Sequence, residues 1–240
     1  MKIAVCLSGH SRNYKDNYPN LSIPVDYFIS SCSDSGLPNE KTLPFVSYHL
    51  NNEIITERAN VDEIIELYKP KSFEFLNDKF IPIELKKFNN HKTLKGGLLI
   101  QIGMMFYRIH KANLLKKEYE LINNFKYDFV IRSRFDIKVN SINLDRNYLA
   151  IYNKENSISD LFFMGSSHVM DSISECYLWF IKQTPDYLSS FSDAESILYY
   201  YIEYLKLALK YSNDFDIVFN KDYPTFNYLH IKNGVMTYKG

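Results

Sequence analysis

The chain is poor in cysteine, tryptophan and glycine, and it has no excess of either charge. Its three cysteines, Cys6, Cys32 and Cys176, lie far apart in apolar or helical surroundings. An odd, scattered set of this kind supports neither a disulfide framework nor a zinc site, and it fits the reduced thiols of a cytoplasmic protein. Lysine plus arginine balances aspartate plus glutamate, 28 to 28, so bulk attraction to nucleic acid is not expected. No apolar run approaches the roughly 18 residues of a membrane span, and the run at residues 1–7 is too short for a signal peptide. A soluble, cytoplasmic protein without a transmembrane segment is expected, with peripheral association with a membrane left open. Neither G-x-G-x-x-G nor the lysine of a phosphate-binding loop occurs, which disfavours dinucleotide oxidoreductases and P-loop enzymes.

What is present suits one globular domain over residues 1–240, with 46% hydrophobic residues to build a core. Residues 2–7 read as a buried first strand, followed by Ser8-Gly9-His10-Ser11-Arg12. Gly9 lets the backbone turn sharply, and the hydroxyls, imidazole and guanidinium fall at the carboxyl edge of an α/β sheet, its usual ligand side. The structural alternative is a plain strand-to-helix turn with Ser11 as cap.

Residues 25–32 and 71–76 read as further strands, with a helix at 61–68 between them that Pro70 stops. The polar segment 33–44 reads as loop, and residues 77–95 as a mobile connection. A long core helix is expected from about Leu98 to Asn123, with Leu99, Ile102, Met105, Phe106, Ile109, Ala112, Leu115 and Tyr119 on its apolar stripe. Gly96-Gly97 gives it a flexible entry, and Gln101, Tyr107 and Lys111 are secondary candidates for ligand contact. Lys116 and Lys117 read as solvated surface residues.

The stretch Tyr127–Val139 stands apart. It opens as a buried strand and then sets Arg132, Arg134 and Asp136 at alternate positions. With a period of two these would share one face and bring two guanidinium forks and a carboxylate together at the strand's end. An anion site is one reading; an internal arginine–aspartate network is the other. Strands follow at 148–152 and 160–167, with Ser166 or Ser167 capping a helix to about Lys182. Asp160 opens an aromatic strand directly after a loop, where it is either a turn former or a carboxylate aimed at substrate. Asp193 and Glu195 begin a helix over 194–210, where the helix dipole alone accounts for acids. The tail, 215–218 and 223–231, suggests one or two closing strands.

In their order, four segments resemble an uncharacterised group of bacterial and viral nucleotide-sugar glycosyltransferases of GT-A-like fold. They are Leu7-Ser8-Gly9-His10-Ser11-Arg12, Tyr107-Arg108-Ile109-His110-Lys111-Ala112-Asn113, the block from Tyr127 to Asp136, and Asp160-Leu161-Phe162-Phe163-Met164-Gly165-Ser166. The resemblance spans roughly residues 3–170 and implies an α/β fold with a mostly parallel central sheet flanked by helices and a helical C-terminal part. It implies transfer of a sugar from a nucleotide sugar to a glycan, lipid-linked or other surface-polysaccharide acceptor. Ser8, Gly9, His10, Arg12, Lys111, Arg132, Arg134 and Asp136 would bind the donor. Arg134-x-Asp136 stands where such enzymes commonly carry the metal-binding Asp-x-Asp, so Asp136 alone would hold Mg2+ or Mn2+, or the arginines would supply the positive charge directly. A second Asp-x-Asp, Asp214-Phe215-Asp216, lies late in the chain and before a strand, and carries little weight. If the reaction inverts configuration, Asp160 is the first choice for the base and Glu195 the second. The rival class is a non-catalytic carbohydrate- or nucleotide-binding protein that retains the fold; a hydrolase or nucleotidyltransferase is a third.

Overall fold

The computed structural model describes residues 1–11, 14–15, 23–32, 60–77, 80–135, 137–139, 148–151, 158–209, 226–232 and 235–239. Strands β1 (Ile3–Gly9) and β2 (Asp26–Cys32) are buried almost throughout, as central parallel strands must be. Helix α1 (Val61–Tyr68) follows, its first turn capped by the Asn60 side chain, which accepts from the Glu63 N–H at 3.3 Å. It leads to β3 (Ser72–Leu76), a 3-10 helix (Ile83–Phe88) and the long helix α2 (Leu99–Ile122). After β4 (Phe129–Ser133), β5 (Ile137–Val139), β6 (Tyr148–Ile151) and β7 (Ile158–Ser166) come helices α3 (Ser167–Ser174), α4 (Cys176–Phe180), α5 (Pro185–Ser189) and α6 (Ala194–Leu209). The hairpin β8 (Phe226–Lys232) and β9 (Val235–Lys239) comes last.

The main sheet has the order β3-β2-β1-β4-β7-β6. The first four strands run parallel; β7 is antiparallel to both β4 and β6. It is thus a mixed α/β sheet with mostly parallel strands. The two faces of each strand separate into two cores. Ala4, Cys6, Phe28, Val130 and Phe163 pack with α2, α3, α4 and α6, and Val5, Leu7, Ile29, Ile131 and Met164 pack with α1. Such helix layers on both faces are what doubly buried strands demand.

The stretch from 127 to 139 is not one strand. β4 stops at Ser133, level with Leu7 and two residues short of the end of β1. The chain turns there, Phe135 buries its ring against Tyr68 at 5.6 Å, and β5 joins a separate antiparallel sheet of order β5-β8-β9. The single face expected for Arg132, Arg134 and Asp136 is therefore broken after Arg132, and Asp136 lies outside the described residues. The C-terminal part is helical from Ser167 to Leu209 and closes in strands.

The connection expected to be mobile over 77–95 contains the 3-10 helix, and Leu85 and Phe88 are fully buried. Leu85 packs where α2 has no side chain: a Cβ on Gly103 would come within 2.6 Å of Leu85 Cδ2 and 3.0 Å of Phe180 Cε1. The turn at 93–97 is pinned by backbone bonds from Leu94 to Phe191 and from Lys95 to Ser192. A single helix over 167–182 is replaced by two, broken at Glu175, and neither Ser166 nor Ser167 caps with its side chain. The Ser167 hydroxyl is drawn instead to Glu120 Oε1 at 2.9 Å. Lys116, expected in solvent, is fully buried, because α2 is covered by the sheet and by α3 together. No helix among the described residues is long and apolar enough to cross a membrane.

Candidate functional site

The strand order reverses beside β1: the chain builds outward through β2 and β3, then returns to place β4 on the other flank. Ligands of open α/β sheets bind in the crevice outside the carboxyl ends at such a switch point. Here those ends are Ser8–Gly9 of β1 and Arg132–Ser133 of β4. Gly9 has φ +106°, a conformation that suits glycine, and a Cβ there would meet nothing within 4 Å. The Gly9 carbonyl accepts from Ser31 Oγ at 2.7 Å, which ties the turn to the end of β2. His10 is half-buried, while Ser11 is buried with no hydrogen-bond partner for its Oγ among the described residues. Arg12 lies outside them.

Arg132 is buried; its Nε donates to Ser8 Oγ at 3.2 Å and its guanidinium lies 5.4 Å from the centre of the Phe163 ring. Arg134, just past β4, is half-buried with Nη1 4.0 Å from Asp160 Oδ2. The antiparallel register explains that meeting, since Arg132 pairs with Phe163 and the residues beyond it run back towards Asp160. Glu195, in the first turn of α6, completes the group. Burial, then the charge of Asp160, then that of Asp193, push its carboxyl up to about 7, with Lys95 opposing. Lys95 is ion-paired with Asp193, whose Oδ1 also accepts from the Ser196 N–H at 2.9 Å.

The structure thus gathers Ser8, Gly9, Arg132, Arg134, Asp160 and Glu195 at one edge of the sheet. Lys111 is engaged elsewhere, 3.6 Å from Glu74 of β3. Tyr107 packs edge-on against Tyr177, and Gln101 is exposed. Sequence reasoning passed over Arg108, which is buried on the sheet-facing side of α2. It also passed over Glu120 and Asp171, which surround Lys116. The signal was available, because Arg108, Ala112, Lys116 and Glu120 recur every four residues along one stripe of α2.

No group of three potential metal ligands occurs among the described residues, and Asp160 faces the Arg134 guanidinium. Asp136 lies outside them.

A cavity of about 480 Å3 occurs at the opposite edge, lined by Lys126, Tyr127, Asp128, Ser166, His168 and Asp171 among others. It contains none of the residues gathered at the switch point. It borders a cluster of buried charges that are matched within the chain. Lys116 Nζ donates to Ser167 Oγ at 2.6 Å and Asp171 Oδ1 at 2.8 Å and lies 3.2 Å from Glu120 Oε2. Burial alone would push the Glu120 carboxyl up. Hydrogen bonds from Lys126 Nζ and the Tyr127 N–H, with the Lys116 charge, outweigh burial and hold it below its ordinary value. This cluster joins α2 to α3 and reads as structure.

Neither the known protein families nor the curated proteins include a match to this chain. The fold and site define an α/β protein with a polar, arginine-bearing strand edge at the switch point of its sheet.

Proposed function

We propose that this chain is a nucleotide-sugar-dependent glycosyltransferase of GT-A-like fold, moving a sugar onto a glycan or other surface-polysaccharide acceptor in the cytoplasm. The observation that supports it best is the convergence at one switch point of a glycine turn, two arginines and a carboxyl pair. Departure of a nucleoside diphosphate leaves negative charge on the phosphate oxygens, and Arg132 and Arg134 are the groups to receive it, as guanidinium forks match phosphate. Ser8 and the Gly9 turn admit the donor to the edge. The acceptor hydroxyl must lose a proton if configuration inverts. Glu195, raised to about 7, is tuned to take one near neutral pH, which favours it over Asp160. Asp160 then holds Arg134 in place and sustains the raised affinity of Glu195 for its proton.

A second reading, a carbohydrate- or nucleotide-binding protein without turnover, draws support from Arg134 standing at the first position of Asp-x-Asp. Incubation with a panel of nucleotide sugars and a broad set of glycan acceptors, with and without Mn2+ or Mg2+, separates the two. Thermal stabilisation by a nucleotide together with nucleotide release is the expected result. Stabilisation without release in any acceptor's presence favours the binding protein, and no stabilisation by any nucleotide rejects both.

A further inference from the structure

Arg108 projects from α2 onto the carboxyl end of β2, where its Nη2 contacts Cys32 Sγ. Only 7% of it is exposed, its Nε has no hydrogen-bond partner, and no carboxylate pairs with it among the described residues. A thiol is a weak acceptor and cannot replace the hydration that a guanidinium gives up on burial. The nearby acid on this face, Glu74, is already engaged by Lys111 at 3.6 Å and by Ser30 Oγ at 3.3 Å. Among the described residues a permanently charged fork is therefore held at the sheet edge by neutral contacts, which is the state of a residue awaiting an anion.

Its position says which anion. Cys32 is the last residue of β2, and β2 lies beside β1, one strand spacing of about 4.8 Å away. Ser8 pairs with Ser30 and Gly9 with Ser31, so the Arg108 contact lies next to the Gly9 turn and its open space. Arg132 approaches the same turn from the β4 side through Ser8 Oγ. We infer that Arg108 binds a phosphate group of the ligand, on the β2 side of the crevice, with Arg132 on the β4 side. Two guanidiniums flanking one glycine turn suit a diphosphate in place of a monophosphate or a neutral sugar. The inference rests on the glycosyltransferase reading for the nucleotide part of that ligand, and on the structure alone for the phosphate.

The full chain and its Arg108→Met and Arg108→Lys variants are titrated with inorganic pyrophosphate and with a panel of nucleoside diphosphates, and their melting temperatures are recorded without ligand. Arg108→Met is expected to weaken binding of both probes roughly 10- to 100-fold, the worth of a charge-assisted hydrogen bond or two. Without ligand it is expected to melt about 2–4 °C higher, since an isosteric apolar chain relieves an uncompensated buried charge. Arg108→Lys should retain most of the pyrophosphate affinity. If Arg108→Met melts lower and binds both probes as the parent does, Arg108 is structural and the inference is overturned while the glycosyltransferase reading stands. Loss of binding in Arg108→Met with a lower melting temperature and no rescue by Arg108→Lys also overturns it. Arginine-dependent binding of pyrophosphate with no response to any nucleotide upholds the phosphate site and rejects the glycosyltransferase. A parent chain that binds neither probe rejects both.

Discussion

Arg108 and Lys116 are carried by the same helix about two turns apart, and both are buried. Their surroundings are opposite. Lys116 meets two carboxylates and a hydroxyl, and one of those carboxylates, Glu120, receives further hydrogen bonds from Lys126 and Tyr127. Among the described residues Arg108 has a thiol contact and an unpartnered Nε. A buried charge costs several kcal/mol unless it is matched, so a chain that matches one and leaves the other short has different uses for them. The matched charge holds two helices together at the amino edge of the sheet. The unmatched one stands at the carboxyl edge, where ligands bind.

The sharpest way to break this comparison is to remove the matched cation. Lys116→Met would leave Glu120 and Asp171 with only the exposed Lys126 between them, at 2.7 and 4.0 Å, and the expected loss is about 3 kcal/mol of unfolding free energy. That is opposite in sign to the expectation for Arg108→Met. Denaturant unfolding of the two variants under one condition measures both. A Lys116→Met chain as stable as the parent would show that burial and partner count do not distinguish structural from functional cations here.

The contrast explains what could be read from the sequence. β1, β2, α1, β3 and α2 were legible to within one or two residues at their ends, because apolar period and capping dictate them locally. The gathering of Ser8, Gly9, Arg132 and Asp160 at one edge was legible in outline, since strand ends in an α/β protein share an edge. Three things were not legible. β4 ends at Ser133 because the chain leaves the main sheet there to bury Phe135 and enter the second sheet, and those are tertiary contacts that residues 127–139 do not signal. Lys116 was assigned to solvent because its type outweighed its position, although it continues the stripe of Ala112 and Arg108. The approach of Glu195 to Asp160 joins residues far apart in the chain, and nothing local signals it.

The two edges also differ in their carboxyls, and pH tests that difference with a smaller effect. Glu195 is raised from 4.5 to about 7, whereas Glu120 is lowered. Between those two values of Glu195 the folded chain holds a proton that the unfolded chain has released. Its contribution to stability therefore falls as pH rises from 4.5 through 7, and the loss is complete above 7. Glu120 acts in the other direction: its contribution is present above its ordinary value and disappears as pH falls through the lowered one. Glu195→Gln should be more stable than the parent at pH 8 by about 1–2 kcal/mol, after discounting for its partial exposure to solvent, and no different at pH 4. Equal stabilities at pH 8 would remove the basis for placing the base at Glu195.

The smallest expected effect isolates one cause of that shift. Asp193 does two jobs at the start of α6. Its Oδ1 accepts from the Ser196 N–H at 2.9 Å while its own N–H donates to Ser196 Oγ at 3.1 Å, a reciprocal cap. Its charge also raises Glu195, after burial and Asp160. Asp193→Ala removes both, and should lose about 1 kcal/mol, as a missing cap does, with the exposed Lys95 pair adding little at physiological salt. Asp193→Asn keeps the cap oxygen and discards the charge. It should hold nearly the parent's stability while moving the Glu195 titration, followed by NMR of the side-chain carboxyl, towards lower pH. If Asp193→Asn leaves that titration where it is, burial and Asp160 alone set Glu195, and the carboxyl pair at the switch point is self-contained.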